Sequence, residues 1–541
     1  MDLPFAITLD VGSSHANHTG SWRVNRPIYV DRLPPCNDTC PAGENVQQWL
    51  YQAESGGYER AWRQLVEDNP FPAVMGRVCY HPCETACNRA QLDEAVGINA
   101  VERFLGDLAI EQGWALPPPG PESGKRILVV GGGPAGLSAA YHLRRLGHGV
   151  RLVDSAPALG GMMRYGIPAY RLPRTVLDAE VARIVGLGVE VELEHTVRDV
   201  EQERAAGSFD AVFLGVGAQL AQRVDIPSGD SSRMLDAISF LHRVGEGDPP
   251  LLGRRVAVYG GGDTALDTAR TARRLGATEA VVIYRRNREH MPAHEDEVEE
   301  ALAEGVTVRW LSTVSRLDGD RVVLEKMRLD DRGFPEGTGE FEELGADSLV
   351  LALGQTADLS LLDRAPGVDV EEGVVRVLPT MMTDERGLFA GGDTVPSPRT
   401  ATAAIGHGRQ AAAGIHAFLA GTELAEPERG VVASFEHLNT WYYADAPRTK
   451  RPELEQARRQ TTFDEVIGGL TEENALFEAR RCLSCGNCFE CDNCFGVCPD
   501  NAVLKFGLGR SYEIDYDYCK GCGICVQECP CGAMVMIPEE L

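Results

Sequence analysis

KRILVVGGGPAGLSAAYHLRRLGHGVRLVD, residues 125–154, is the stretch whose reading decides the fold. Residues 127–130 are an unbroken apolar run, the pattern of a strand buried on both faces. Gly131, Gly133 and Gly136 follow at G-x-G-x-x-G spacing around Pro134 and Ala135, and residues 137–146 carry the apolar repeat of a helix. A second apolar run, 150–153, ends on Asp154. Strand, glycine turn, helix, strand and acid in this order are a βαβ unit that seats a pyrophosphate on a helix N-terminus. The glycines let backbone approach the phosphates, and the carboxylate takes ribose hydroxyls. An ordinary glycine turn explains the glycines but not the whole order. A dinucleotide is expected here.

The pattern returns at 255–293, RVAVYGGGDTALDTARTARRLGATEAVVIYRRNREHMPA. Gly260, Gly262 and Ala265 hold G-x-G-x-x-A around Asp263 and Thr264, between an expected strand at 256–259 and helix at 265–275. The next strand, 280–284, ends on Arg285 and Arg286 instead of an acid. A carboxylate there repels a ribose phosphate, whereas guanidinium groups pair with it bidentately. The bland reading is two solvated arginines; the sharper one is NADP(H) in preference to NAD(H). Between the units, PALGGMMRYGIP holds Gly161 in a glycine-rich turn, and FLGVGA (213–218) reads as a strand end and tight turn. Further on, GLFAGGD (387–393) is a short strand ending on Gly392 and Asp393, followed by TATAAIGHGRQ (400–410), where Thr402 and Ala403 open a helix. Asp393 is placed to accept from a ribityl hydroxyl, and the helix N-terminus to stabilise negative charge on a flavin ring. His407 reads equally as a packed or a functional residue. The order implies FAD, bound by a domain into which an NADP(H) unit is inserted.

The 541 residues make several domains. A formal charge of −28 argues against nucleic acid and anionic membrane surfaces. No apolar run approaches a membrane span, and MDLPFAITLDVGSS lacks the basic start of a signal peptide, so a cytoplasmic location is expected.

The 16 cysteines are clustered: five lie between Cys36 and Cys87 and eleven between Cys482 and Cys531. Short spacers in a cytosolic chain mean metal rather than disulfides. Cys488, Cys491, Cys494 and Cys498 make C-x₂-C-x₂-C-x₃-C-P, and Cys519, Cys522, Cys525 and Cys529 repeat it. Each run supplies three corners of a [4Fe-4S] cubane and sends its fourth thiolate to the other cluster; zinc is the competing metal. In the N-terminal group, Pro41 is expected to open a helix after Cys36 and Cys40. Cys79, Cys83 and Cys87, each separated by three residues, fit either one helical face or cluster ligands.

These motifs together resemble the small subunit of NADPH-dependent glutamate synthase over roughly 29–420, and the flavin half of dihydropyrimidine dehydrogenase is similar. CKGCGICVQECP and its partner run resemble the two-cluster ferredoxin (delta) subunit of 2-oxoacid:ferredoxin oxidoreductases. A flavoprotein of this layout also accompanies dissimilatory sulfite reductase. The resemblance implies FAD, NADPH, tetranuclear clusters and an NAD(P)H:acceptor oxidoreductase passing electrons to or from a protein partner of 2-oxoacid:acceptor oxidoreductase or sulfite reductase type. The alternatives are the electron-input flavoprotein of a sulfite reductase or glutamate synthase type system, and, as the rival class, a stand-alone flavin reductase of a small molecule. It further implies that Cys40, Cys79 and Cys83 share a cluster with Glu102, and that Cys36 and Cys87 hold half of another. Asp154 stands where relatives commonly have Glu, and the C-x-x-C that relatives carry before Cys36 is absent. Cys482 and Cys485 have the missing spacing at the far end of the chain. They are expected to fold back onto Cys36 and Cys87, closing the count at four cubanes with Cys531 spare; the alternative makes them shifted-register neighbours of Cys488.

The expected fold class is α/β, with two Rossmann-like domains (FAD and NADPH), a helical iron–sulfur domain and a two-cluster ferredoxin fold. The expected boundaries are an arm at 1–30, the helical iron–sulfur domain at 31–118, FAD-binding parts at 119–250 and 375–420, an NAD(P)H-binding domain at 251–374, a linker at 421–477 and the ferredoxin-like domain at 478–541.

Overall fold

The structure, a computed structural model, describes residues 18–222, 224–227, 233–424, 429–507 and 512–539. Its centre is a five-stranded parallel sheet in the order Leu388–Ala390, Ala211–Leu214, Arg126–Val130, Gly149–Val153, Glu190–Glu192. The apolar run before the first glycine is its middle strand, with Ile127, Leu128 and Val129 fully buried. The strand from the GGD segment enters at one edge, so the sheet is assembled from distant parts of the chain. Helix Ala401–Ala420 lies along helix Pro134–Arg145 at backbone distance: a Cβ at Gly408 would collide with the Ala135 carbonyl. Gly136 serves the same end, since a Cβ there would strike the Gly131 carbonyl and push helix from strand.

A second five-stranded parallel sheet runs Thr307–Arg309, Glu279–Ile283, Arg255–Gly260, Ser348–Ala352, Met234–Asp236. Two expected boundaries move. Met234–Asp236 pairs with Ser348–Ala352, so this sheet begins well before 251, with helix Ala237–Gly245 packed into its core. The boundary at 374/375 cuts the hairpin of Val370–Glu371 with Val374–Val375. An antiparallel ribbon of Ser312–Asp318, Arg321–Leu329 and Pro335–Gly345 covers one face.

The N-terminal module is a set of helices, Val46–Glu54, Tyr58–Leu65, Pro72–Val78 and Ile98–Gln112, around Trp49, Trp62, Leu65 and Phe71. Pro41 does not open a helix. It sits in a turn, and the helix starts at Val46 because the Asn45 side chain accepts the Gln48 N–H at 3.3 Å. Nor do Cys79, Cys83 and Cys87 share a helical face. The chain turns at His81 (φ 40°) and makes only the short helix Pro82–Thr85. The module shares one core with the first sheet. Glu180 accepts the Ala73 and Val74 N–H groups at 2.9 Å each, and the Tyr141 hydroxyl donates to Val66 O at 2.7 Å.

At the far end, helix Glu472–Arg480 runs across the expected boundary at 477/478. The tail that follows has short helices Asn493–Val497 and Ile524–Gln527 and a core made largely of cysteines. Of the expected arm, 1–17 lies outside the described residues. Within it, Asn25–Tyr29 is a strand paired antiparallel with Met534–Pro538.

Candidate functional site

The two parallel sheets face a common cleft of about 720 Å³. It is lined by Gly131, Gly133, Pro134, Ala135, Asp154 and Gly161 from the first unit, Asp263 and Thr264 from the second, and Gly392 and Asp393 from the GGD turn. Asp154 is pinned by its own turn: Oδ2 accepts the Gly132 N–H at 2.6 Å and Oδ1 the Ala156 N–H at 2.8 Å. Burial raises the Asp393 carboxyl above its ordinary range, and Arg399 opposes the shift. Gly133 is nearly open at its Cβ position, while a Cβ at Gly131 would strike the Gly215 carbonyl and one at Gly161 the Gly133 backbone, so the closely packed glycine turns and the helix N-termini fit a flattened, phosphate-bearing cofactor.

Several residues expected to bind do not line the cleft. From the helix after Thr400, Ala401 and Ala404 face it, one turn apart. Thr402 and Ala403 therefore point elsewhere, and Thr402 reaches the N-terminal cysteine cavity, 3.5 Å from Met75 Sδ. Gly136 and Gly260 serve close backbone packing, Gly262 caps helix Asp263–Arg274, and Ala265 is buried beneath that helix's first turn. His407 Nδ1 accepts the Gly392 N–H at 3.2 Å, which makes it a brace for the GGD turn. Arg285 and Arg286 sit at the strand end and form no ion pair among the described residues; Phe334 lies 5.8 Å from the Arg286 guanidinium.

Sequence reasoning missed the residues that close the cleft. Tyr80, next to Cys79, donates to Asp263 Oδ2 at 3.0 Å, and His294 Nδ1 meets the same oxygen at 3.0 Å. Arg171 pairs with Asp267 at 2.8 Å and Glu297 at 2.5 Å. Only Tyr80's place beside a cysteine could have flagged any of them.

The cysteines fall into four groups. Cys40, Cys79 and Cys83 surround one cavity with Glu44 and Glu102. Burial pushes Glu44 up to about 7 and, with the neighbouring Glu44 charge, Glu102 well above its usual range. Cys36, Cys87, Cys482 and Cys485 ring a second cavity, so the two ends of the chain meet there. Burial raises the Cys36 thiol, and Cys482, Cys87 and Cys485 add to the shift. Cys498 joins Cys519, Cys522 and Cys525 around a third. Cys529 gathers with Cys488, Cys491 and Cys494. The fourth cysteine of each run thus sits with the other run. Donors spaced around a cavity in this way fit the corners of a cubane. Hydrogen bonds already reach the sulfurs: His81 N–H to Cys79 at 3.3 Å, Ser484 N–H to Cys482 at 3.4 Å, Ala502 N–H to Cys498 at 3.3 Å, and Tyr29 Oη with Cys494 at 3.1 Å. Cys531 is buried, 3.8 Å from Cys529.

A nucleotide cleft between two parallel sheets, flanked by cavities of clustered cysteines, defines a reductase of the iron–sulfur flavoprotein class. Residues 125–408 match the model for pyridine nucleotide-disulphide oxidoreductases, and the chain belongs to that family. Residues 25–114 match dihydropyrimidine dehydrogenase domain II with its 4Fe-4S cluster, and 487–533 the 4Fe-4S dicluster domain. The chain is 35% identical to the NADP(+)-dependent formate dehydrogenase subunit beta of Moorella thermoacetica, over 83% of this chain and 70% of that one. It is 31% identical to the NADPH-Fe(3+) oxidoreductase subunit beta of Geobacter sulfurreducens, over 85% and 77%. It is 34% identical to the glutamate synthase [NADPH] small chain of Azospirillum brasilense, over 71% and 86%. The protein is an NADPH-dependent oxidoreductase whose cofactors are FAD, NADP(H) and [4Fe-4S] clusters. No helix among the described residues is long and apolar enough to cross a membrane.

Proposed function

We propose that the chain is the electron-transfer subunit of a larger enzyme, exchanging reducing equivalents between NADPH in the cleft and a protein partner at the C-terminal module. The partner is of the 2-oxoacid:acceptor oxidoreductase or sulfite reductase type. The observation that carries this reading is the meeting of Cys36 and Cys87 with Cys482 and Cys485, which fastens the partner-facing module to the nucleotide-binding body. A self-contained reductase of a small molecule has no use for that attachment. The subunit relatives named above support the same reading.

Gly131, Gly133, Pro134, Ala135 and Gly161 would hold the FAD pyrophosphate, Asp154 its ribose, and Gly392 and Asp393 the ribityl chain. Gly260, Gly262, Asp263, Thr264 and Ala265 form the second phosphate-binding turn, and Arg285 and Arg286 pair with the 2′-phosphate. The four cysteine groups, one completed by Glu102, would hold four cubanes. When bound, these cofactors supply hydride exchange and single-electron transfer. The chain's own residues hold their geometry: Arg171 with Asp267 and Glu297 fixes the second nucleotide unit against the segment after Gly161. Tyr80, His294 and Asp263 close the mouth between cleft and cysteine module.

Anaerobic titration of purified protein with NADPH and NADH tests this. Flavin absorbance should bleach at lower NADPH than NADH, and iron should be on the order of sixteen per chain. No bleaching by either coenzyme overturns the reading.

A further inference from the structure

Two carboxylates, not one, are buried at the cavity of Cys40, Cys79 and Cys83: Glu44 is 4% exposed and Glu102 6%. Between them lies Asn69, 0% exposed, whose Nδ2 donates to Glu44 Oε1 at 2.9 Å and to Glu102 Oε1 at 3.0 Å. Asn69 Oδ1 accepts the Phe71 N–H at 2.9 Å. A backbone N–H can only donate, so this bond fixes which way the amide faces and turns both Nδ2 hydrogens onto the carboxylates.

The second oxygens of the two carboxylates are treated differently. Glu44 Oε2 accepts from Trp49 Nε1 at 3.2 Å, so both Glu44 oxygens are engaged. Among the described residues no hydrogen bond reaches Glu102 Oε2. Three sulfurs leave one corner of a cubane to be filled, and of the two carboxylates only Glu102 keeps an oxygen uncommitted.

We propose that Asn69 is the positioning residue that selects the ligand of this cluster: it anchors Glu102 by Oε1 so that Oε2 faces the fourth iron, and with Trp49 it holds Glu44 back from the metal. Sharing one neutral amide between two buried carboxylates costs the fold free energy unless positive charge lies beside them. The nearby cation, Arg409, is engaged with Asp68 at 2.7 Å. Outer groups of this kind set the orientation and electronic properties of metal ligands. The inference rests on the ligand set proposed above.

The test uses the full-length protein with its clusters reconstituted anaerobically. Readouts are iron and sulfide per chain and the electron paramagnetic resonance spectrum and midpoint potential of each reduced cluster. Glu44→Gln should keep all iron and the wild-type spectrum, whereas Glu102→Ala should lose or reshape one cluster's signal. Asn69→Ala should shift that same signal and its potential. The shift should vanish in a Glu102→Cys background, where the ligand needs no anchor. Loss of the cluster in Glu44→Gln with its retention in Glu102→Ala overturns the proposal, even where Asn69→Ala fails to fold. So does an Asn69→Ala shift that persists in the Glu102→Cys background. A wild-type protein short by about four irons overturns the underlying ligand set instead, and with it the role of Asn69.

Discussion

Tyr80 and His294 lie face to face, their ring centroids 3.3 Å apart and their planes 3° from parallel. One comes from the cysteine module and the other from the second nucleotide unit, and both reach the Asp263 carboxylate at the start of helix Asp263–Arg274. Tyr80→Ala removes the stack and one charge-assisted hydrogen bond, together about 2–4 kcal/mol. The module boundary should then unfold at lower temperature and cleave sooner under limited proteolysis. Tyr80→Phe keeps the stack and should lose only the hydrogen bond's share, about 1.5–3 kcal/mol; equal losses would mean that the stack contributes nothing.

Coenzyme choice is tested at the strand end. Replacing Arg285 and Arg286 by glutamine removes charge-assisted pairing worth about 1.5–3 kcal/mol. KM for NADPH should rise roughly ten- to a hundredfold while KM for NADH changes little. Steady-state kinetics with both coenzymes decide it, and parallel rises would assign the 2′-phosphate elsewhere.

The attachment of the tail is tested by Cys482→Ser with Cys485→Ser. Iron should fall by about four per chain, and protease should release the C-terminal module while the nucleotide-binding body stays intact. Full iron in the double variant would leave the cavity around Cys36 and Cys87 without a metal role.

Cys525→Ser acts further out. NADPH should still bleach the flavin at the wild-type rate in stopped-flow mixing, and reduction of a protein acceptor such as a ferredoxin should drop at least tenfold. An unchanged acceptor rate would place the C-terminal module off the electron path.

Acid should weaken the body through His142. Its Nε2–H donates to Asp68 O at 3.2 Å, and burial, aided by Arg409 and Arg145, lowers the imidazole to about 3. Between the ordinary value near 6.5 and about 3, the unfolded chain binds a proton that the fold refuses. Stability is therefore complete above about pH 6.5 and declines as pH falls through that window, by about 1.4 kcal/mol per unit at most. His142→Gln should flatten this limb of the thermal unfolding curve against pH.

The strongest local patterns carried the architecture. Apolar runs ending in glycine placed the middle strands of both sheets, because a strand buried on two faces leaves no polar alternation to misread. The crossing of Cys498 and Cys529 between runs was legible from spacing, since two- and three-residue bites fix which corners one run can reach. The meeting of Cys482 with Cys36 was reached by counting ligands. What stayed hidden depends on contacts distant in sequence. Met234–Asp236 is three residues whose place is set by pairing with Ser348–Ala352, and Tyr80 gains its role from Asp263 and His294. Thr402 lies outside the cleft, at the cysteine cavity, because it sits on a different side of the helix from Ala401 and Ala404.

The pairing of Asn25–Tyr29 with Met534–Pro538 sets an order of events during synthesis. The strand made early has no partner until the ribosome has delivered the strand made late. The C-terminal module therefore closes only after both nucleotide units have emerged and had time to fold. Its iron must enter after translation of the body, and a chain stalled before residue 534 would expose an unpaired strand edge that invites aggregation or capture by a chaperone.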